Sequence, residues 1–365
     1  MNNTGVQSIG IKCPIIKEGD DLCWIVVKSI LDTFKKYDVY HDTCYYDIED
    51  KDIIGITESV VARNAGLYLS LDDLTQEIKD KCPSGHVMLL NPIYSRNRFS
   101  MILKAFARAC EKLYIVMPDF DEVGNPCGLN PNTGVNIMEY YKQLCEENNC
   151  ECIIGESAPQ LFYDMSDETT NSMYIVDCAL RPNPKRVSIT TLKDFGTKLN
   201  PTYGLLGSNK ANEETLKLFP TVDAACRVCT KIQRMIKEAT NKHVEVMVYG
   251  DGCFKDATSG IWEFADPDVS PFYTEGLDGS PNEIKLKAFA DDKFNNLHGD
   301  MLNAAIKNEI NTKANDLVGS MNSQGTTPRK YVNLLASLMD LTSGSGDKGT
   351  PVVVVKNYFK NYASE

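Results

Sequence analysis

The sequence predicts an α/β protein of two parts, and three observations lead to this prediction. Between residues 85 and 180, short apolar runs typical of buried strands alternate with amphipathic helical segments, which favours a parallel sheet covered by helices. Outside that stretch, apolar runs such as 244–249 lead into turns rich in glycine. The length of 365 residues, with 42 % hydrophobic and 24 % charged residues, suits two packed domains.

The individual elements follow from hydrophobic periodicity. Residues 9–16 are strand-like, and residues 22–37 place apolar side chains at helical spacing. The run DIIGI at 52–56 predicts a buried strand, whereas Ser70 and the acids after it predict the start of a helix. A further helix is predicted over 221–239.

Charge and apolar patterning bear on partners and location. Asp and Glu outnumber Lys and Arg by 50 to 38, and an acidic surface disfavours nucleic acid because it repels phosphates. No signal-like N-terminus and no apolar run near the roughly 20 residues of a membrane helix is present, so we expect a cytoplasmic protein without membrane contact. Only Cys226 and Cys229 form a CxxC pair, on a predicted helix; we interpret the 13 cysteines as structural thiols.

The first candidate for metal binding is a carboxylate at a strand end. Asp251 stands between two glycines directly after the strand 244–249, and open backbone there lets a metal or phosphate approach closely. Asp256 and Glu275 are further hard ligands of the kind that hold Mg²⁺ or Mn²⁺. The alternative is a plain turn, in which Asp serves turn geometry.

A polar loop at residues 207–210 is the first candidate for phosphate binding. Gly207, Ser208 and Asn209 are small or polar and expose backbone N–H groups, and Lys210 adds a point charge. The loop is not a Walker motif, because GxxxxGK[ST] is absent. An ordinary loop is the alternative.

Further cations and glycines extend this inventory. Gly346, Asp347 and Lys348 lie in a second loop, which follows a predicted helix and precedes a strand, so its GxGxxG spelling does not indicate a dinucleotide fold. Arg63 supplies a guanidinium fork for phosphate or carboxylate, with a surface ion pair to Glu58 as the alternative. With few histidines, the composition suits phosphoryl transfer, which needs positioning and charge neutralisation. We therefore expect Lys210, Lys348 and Arg63 to act in catalysis.

Five segments, in chain order, resemble motifs of the coenzyme F-420:L-glutamate ligase family (F-420-0:gamma-glutamyl ligases). They are IGIKCPIIKEGDDL (9–22), DIIGITESVVARNAG (52–66), GLLGSNKANEETLKLFP (204–220), VEVMVYGDGCFKD (244–256) and SGSGDKGTPVVVVKNYF (343–359). No single segment is specific, but five in order are. Several positions depart from the family pattern: Leu206 replaces an Asp, Gly252 a Thr and Ser345 a Gln. In the early loop, a family Lys falls near Glu58 or Ser59, and Arg63 stands in place of a later Lys.

The resemblance implies a GTP-dependent reaction. A carboxylate of the acceptor becomes an acyl phosphate, and the amine of L-glutamate then displaces the phosphate. It also implies Mg²⁺ or Mn²⁺ with K⁺ as an additional cation, a homodimer, Asp251 as a metal ligand, and Ser208 and Asn209 in a nucleotide or metal loop.

The prediction as a whole is a gamma-glutamyl-ligase-like body carrying an inserted domain. Residues 1–84 and 186–365 form the body, and 85–185 form a Rossmann-like α/β insertion. The expected function is a GTP- or ATP-dependent ligase that adds L-glutamate or a similar amino acid to a small-molecule carboxylate. Three alternatives stay open: a non-catalytic nucleotide- or ligand-binding regulator, a folate-type polyglutamylating enzyme, and a kinase-like phosphotransferase.

Overall fold

The computed structural model describes most of the chain in two compact units. The described residues are 4–90, 97–116, 128–129, 134–155, 187–250, 253–255, 262–264, 270–313, 330–343 and 348–364. The first unit is formed by 1–61, 222–252 and 266–365, and the second by 62–221 and 253–265.

The described residues form nine α-helices and fifteen strands, which confirms the predicted α/β class. The helices are α1 (Leu22–Phe34), α2 (Glu58–Asn64), α3 (Leu71–Lys81), α4 (Asn97–Ala109), α5 (Ile137–Glu147), α6 (Val222–Thr240), α7 (Leu286–Asp291), α8 (Gly299–Thr312) and α9 (Tyr331–Ser343). The strands are β1 (Gln7–Ile11), β2 (Lys35–Asp38), β3 (Thr43–Tyr46), β4 (Ile53–Thr57), β5 (Tyr68–Ser70), β6 (His86–Leu90), β7 (Lys112–Val116), β8 (Glu151–Gly155), β9 (Ser188–Thr190), β10 (Ser208–Asn212), β11 (Thr215–Leu218), β12 (Glu245–Tyr249), β13 (Cys253–Lys255), β14 (Trp262–Phe264) and β15 (Val352–Lys356).

The first unit is built on a four-stranded mixed sheet in the order β1-β15-β4-β12. Strand β15 runs antiparallel to both neighbours, whereas β4 and β12 are parallel and pair Thr57 with Tyr249 at their carboxyl ends. All five residues of β12 and all five of β15 are buried. Buried apolar runs of this kind are typical of strands covered on both faces.

Strand alternation divides the first unit into three layers. On one face, side chains such as Ile54 and Val246 pack against α1 and α6; on the other, Met247 and Val353 pack against α9 through residues such as Leu335. Successive side chains of a strand point to opposite faces, so each strand contributes to both cores.

Capping and periodicity explain where the helices begin. The Asp21 side chain accepts a hydrogen bond of 3.2 Å from the Trp24 amide at the start of α1, and the predicted Ser70 cap accepts one of 3.0 Å from Asp73 at the start of α3. The predicted extent of α1 is wrong at its end, because Lys35 already belongs to a β2–β3 hairpin. No helix of the described residues is both long and apolar enough to cross a membrane.

The second unit contains the predicted parallel sheet. Its order is β8-β7-β6-β9, and every pairing is parallel. Residues such as Val87 and Leu113 face a core that includes Phe99 and Phe106 of α4, and Phe106 meets Phe195 edge to face at 5.1 Å. The sequence also predicts a strand in the apolar run SMYIVDC at 172–178, which lies outside the described residues.

A small antiparallel sheet, in the order β10-β11-β5, completes the second unit. Its residues Leu69, Leu216 and Leu218 join the same core as the parallel sheet. The predicted limits of the insertion, 85–185, stay a prediction. In the structure, one hydrophobic core combines residues from within these limits with residues before 85 and after 185. Residues 208–210, expected in a loop, instead lie in strand β10.

A cluster of exposed charges ties α4 to the turn between β10 and β11, and it gives the second unit an expected acid sensitivity. Arg108 contacts Glu214 at 2.9 Å, and Lys104 forms a second ion pair with it. These two cations lower the pKa of the Glu214 carboxyl from its ordinary value of 4.5 to about 2. A depressed pKa stabilises the fold above the unfolded pKa, and this contribution is lost as pH falls toward the folded pKa.

We expect Glu214→Gln to lower stability at neutral pH by only about 0.2–1 kcal/mol, because the pair is solvent-screened. The difference from the native protein should vanish between pH 4.5 and 2. Thermal unfolding of the native protein and the variant, measured at neutral pH and at the low end of this range, tests the prediction. Glu146→Gln, on the exposed side of α5, is the control. A difference that persists at low pH contradicts the assignment.

Candidate functional site

Several polar groups converge on one edge of the first-unit sheet, where the parallel strands β4 and β12 both end. Thr57 closes β4, and Gly250 follows the paired Tyr249 of β12. The turn before β15 reaches the same edge, since the Thr57 amide donates to the Pro351 carbonyl at 2.9 Å. Carboxyl ends of parallel strands are the usual location of ligand sites in α/β sheets. We call this region the β4–β12 edge.

Glu58 is the carboxylate that this edge buries. It directly follows β4, is only 4 % exposed, and accepts a hydrogen bond of 2.8 Å from the Thr57 hydroxyl. A surface ion pair with Arg63 was the alternative from the sequence. That alternative is wrong in placing Glu58 at the surface. A buried carboxylate at a strand end provides the hard oxygen ligands that Mg²⁺ and Mn²⁺ prefer.

Tyr249, the last residue of β12, carries a hydroxyl that is near enough to Glu58 for the charge of that carboxylate to affect its pKa. Burial raises its pKa above the ordinary value, and the nearby charges of Asp340 and Glu58 raise it further, whereas Ser343 lowers it. The hydroxyl therefore stays protonated at neutral pH. It has no hydrogen-bond partner of good geometry among the described residues, although Ser343 is near enough to affect its pKa. Buried hydroxyls are almost always bonded, so this donor suits an oxygen of a bound ligand.

The turn before β15 places the predicted Lys348 at the same end of the sheet, next to β1. Lys348 is exposed, and Gly349 after it has a φ of +67° and binds the Cys13 amide through its carbonyl, at 3.1 Å. Positive φ is readily adopted only by glycine. The turn thus connects α9 to β15 and contacts Cys13, shortly after the end of β1. Its lysine is exposed and can reach solvent or substrate.

Four predicted site residues lie outside the described part of the chain. They are Asp251, Asp256, Gly346 and Asp347. Asp251 is nevertheless the next residue after Gly250, and Asp347 precedes Lys348, so both flank described residues of the β4–β12 edge in the chain. Their roles stay predictions.

Glu275, the third predicted metal ligand, lies at the other end of β12. Residues 272–274 run antiparallel along that strand: Val248 N–H donates to Phe272, and Thr274 N–H donates to Val246. A Cβ at Gly276 would lie 2.1 Å from the Glu245 carboxylate, which places this segment beside the amino end of β12. At about 3.3 Å per residue, that end is roughly 13 Å from Tyr249. The structure thus does not bring Glu275 to Glu58.

The polar side chains at the β4–β12 edge offer oxygen atoms, which are the ligand type that a hard divalent cation prefers. Glu58 supplies a carboxylate, and Tyr249 and Thr57 supply hydroxyls. Among the residues that the structure describes, no three His, Cys, Asp or Glu side chains form a ready metal cluster. A cation held here would therefore need a ligand beyond them, and Asp251 is the carboxylate that follows next in the chain.

Three predicted phosphate-binding residues lie on β10, in the second unit. Asn209 and Lys210 are partly or fully exposed there, and Lys210 shares one groove with Arg63. Ser208 is buried, and its hydroxyl donates to the Leu205 carbonyl at 2.7 Å. Gly207 is required by packing, because a Cβ would lie 2.3 Å from the Phe219 ring.

Sequence reasoning missed Lys217, which lines the same groove although it is only 8 % exposed. The signal was the alternating segment Thr215-Leu216-Lys217-Leu218, whose period of two places Lys217 opposite the apolar face. Its cross-strand neighbours are Asn209 and Tyr68.

A comparison with protein families identifies the family of the chain. The family model of F420-0:gamma-glutamyl ligase matches residues 10–357, nearly the whole chain. A search of curated proteins gave no match. Because the family match spans far more than half of the sequence, the chain belongs to the F420-0:gamma-glutamyl ligase family.

Proposed function

We propose that the protein is a nucleoside-triphosphate-dependent ligase that joins L-glutamate or a similar amino acid to a small-molecule carboxylate. The family match over residues 10–357 carries this proposal. GTP or ATP is the co-substrate, and the F420-0 of the family name is the first acceptor to test. A cytoplasmic location, a homodimer and the use of K⁺ are part of the same proposal.

The reaction proceeds through an acyl phosphate. A carboxylate oxygen of the acceptor attacks the γ-phosphorus, which forms the acyl phosphate and releases the nucleoside diphosphate. The amine of the amino acid then attacks the acyl carbon, loses a proton, and expels inorganic phosphate. Such chemistry depends mainly on positioning and on neutralisation of phosphate charge.

The β4–β12 edge is the proposed centre of this chemistry. Glu58, with Asp251, would hold Mg²⁺ or Mn²⁺, which when bound neutralises charge on the transferred phosphoryl group. The Tyr249 hydroxyl, protonated at neutral pH, donates a hydrogen bond to a substrate oxygen. Lys348 approaches from the turn before β15 and offers a second positive charge.

One observation favours a second candidate, a nucleotide-binding protein without ligase activity. Leu206 stands where the family pattern has an Asp, and its side chain is 36 % exposed. An apolar side chain there supplies no metal ligand. This candidate expects nucleotide binding without steady release of nucleoside diphosphate.

Mass spectrometry of an incubated mixture tests the proposed function. The purified protein is mixed with GTP or ATP, Mg²⁺ and Mn²⁺, L-glutamate, and either F420-0 or a folate. We expect the acceptor to gain the mass of one glutamyl residue, and the gain to disappear in Asp251→Ala. Nucleotide consumption at the same rate without any amino acid would contradict the ligase and favour a phosphotransferase or a nucleotidase. Bound but unconsumed nucleotide would favour the second candidate.

A further inference from the structure

Two cysteines of the second unit meet where helix α5 passes into strand β8. Cys145 lies in the last turn of α5, and Cys150 directly precedes β8. Both side chains belong to the hydrophobic core of this unit, with exposed fractions of 0 % and 2 %. From the sequence, the cysteines were interpreted as structural thiols. The position of this pair allows a chemical role as well.

The turn at the end of α5 holds the two cysteines against each other. The Cys150 amide donates a hydrogen bond of 3.0 Å to the Cys145 carbonyl, and the Asn149 amide donates one of 2.9 Å to the Glu146 carbonyl. Asn149 has a φ of +60°. Together these features form a Schellman motif, whose two outer residues commonly bring their side chains into contact. Here the outer residues are the two cysteines.

The spacing of the pair suits a disulfide. A single backbone hydrogen bond of 3.0 Å joins Cys150 to Cys145, which keeps the two Cα atoms within about 7 Å, the upper limit for a disulfide. The two thiols also lie within hydrogen-bonding reach of each other. Both are free thiols in the structure, so the bond remains to be formed.

The contact between the thiols makes the two cysteines unequal. A hydrogen bond from Cys145 lowers the pKa of the Cys150 thiol, although burial opposes this effect. Hydrogen bonds to Cys150 and Cys152, and then burial, raise the pKa of Cys145. The proton is therefore favoured on Cys145 and the negative charge on Cys150. Because the thiolate is the reactive form of cysteine, Cys150 is the nucleophile of the pair.

A small oxidant can reach the pair through the turn that joins α5 to β8. Glu146, Asn149 and Glu151, which flank the two cysteines in the chain, are exposed. Helix ends open locally at a lower free energy than the core of a sheet. Hydrogen peroxide is little larger than water, so opening of this turn is sufficient to admit it.

We propose that Cys145 and Cys150 are a redox-modification site, which closes to a disulfide in the presence of a hydroperoxide and reopens with a thiol reductant. The Cys150 thiolate attacks one oxygen of hydrogen peroxide: an S–O bond forms, the O–O bond breaks, and the departing hydroxide takes up a proton. The Cys145 sulfur then attacks the Cys150 sulfur: an S–S bond forms, the S–O bond breaks, and the second hydroxide takes up the proton of Cys145. Two thiols are oxidised and one peroxide is reduced to two waters. This site does not depend on the proposed function.

Peptide mapping of the full chain after treatment with hydrogen peroxide tests the proposal. The remaining thiols are alkylated, and the protein is cleaved after glutamate without reduction. This cleavage places Cys145 in fragment 140–146, Cys150 in fragment 148–151 and Cys152 in a third fragment. We expect fragments 140–146 and 148–151 as one disulfide-linked species that separates when dithiothreitol is added.

Four variants identify the partners. Cys145→Ala and Cys150→Ala should each abolish the linked species. Cys152→Ala, which removes the neighbouring thiol, and Cys44→Ser, which removes an exposed thiol, should give it at the native yield. Oxidation of Cys44 while both members of the pair stay thiols would overturn the proposal, and so would a link from Cys145 to Cys152 instead of Cys150. The native chain and Cys152→Ala keep the pair intact, so the test holds even if Cys145→Ala does not fold.

Discussion

Glu58→Gln is expected to lower ligase turnover by at least about 10- to 100-fold, the range seen when groups around a metal are altered. Glutamine keeps the size of the side chain and still accepts the hydrogen bond that Thr57 donates at 2.8 Å. It removes only the negative charge at the β4–β12 edge. Because that charge is proposed to hold the divalent cation, the concentration of Mn²⁺ needed for half-maximal activity should rise.

A second buried glutamate provides the matched control for this prediction. Glu245 is 6 % exposed, also accepts from a threonine hydroxyl, that of Thr274, and lies at the opposite end of β12. We expect Glu245→Gln to retain the native metal requirement. Unchanged turnover and unchanged Mn²⁺ dependence in Glu58→Gln would show that the β4–β12 edge does not hold the cation.

Gly204→Ala is expected to be the most destabilising small substitution in the second unit. Gly204 has a φ of +54°, and a Cβ there would lie 2.6 Å from the carbonyl oxygens of Lys193 and Phe195. These atoms belong to the backbone and cannot rotate away. We expect a loss of about 2–5 kcal/mol, the sum of about 1–2 for the left-handed conformation and about 1–3 for overpacking.

Two other glycines separate these contributions. A Cβ at Gly299 meets nothing within 4 Å although its φ is +56°, so Gly299→Ala reports the backbone conformation alone. Gly128 has open space and no positive φ, so Gly128→Ala should change stability by less than about 0.5 kcal/mol. Thermal unfolding of the three variants checks the order. A Gly204→Ala protein as stable as Gly128→Ala contradicts the close packing of this turn.

Hydrophobic periodicity predicted the helices and strands that bury one face or all of their side chains. It did not predict short polar segments that become strands by pairing with a neighbouring strand. The helix expected at 221–239 is α6, and β6, β7 and β8 lie within the stretch 85–180 where alternating strands and helices were expected. Strands β9 and β10 were missed because their sequences, SIT and SNKAN, have no apolar alternation. Hydrogen bonds to a neighbouring strand hold such segments, and the neighbour is not visible in the local sequence.

The candidate site was predictable only in part, for a related reason. Asp251 was proposed as a ligand because it follows an apolar strand and lies between glycines, and its role stays a prediction. Glu58 follows the paired strand β4 and was interpreted as a surface residue. Its burial depends on β12 and β15, the two strands that pair with β4. Strand β12 lies almost 200 residues further along the chain, and β15 lies further still. Lys217 was missed because a lysine in a strand is usually solvated, and only its pairing with Asn209 and Tyr68 places it in a groove.

The fate of oxygen atoms tests the acyl phosphate directly. An acceptor labelled with oxygen-18 in its carboxylate is incubated with the protein, nucleoside triphosphate, metal and L-glutamate, and the released inorganic phosphate is analysed by mass spectrometry. The proposed reaction transfers one labelled oxygen from the carboxylate to each phosphate, because the amine expels the phosphate together with that oxygen. Unlabelled phosphate, or label in a nucleoside monophosphate, would contradict it.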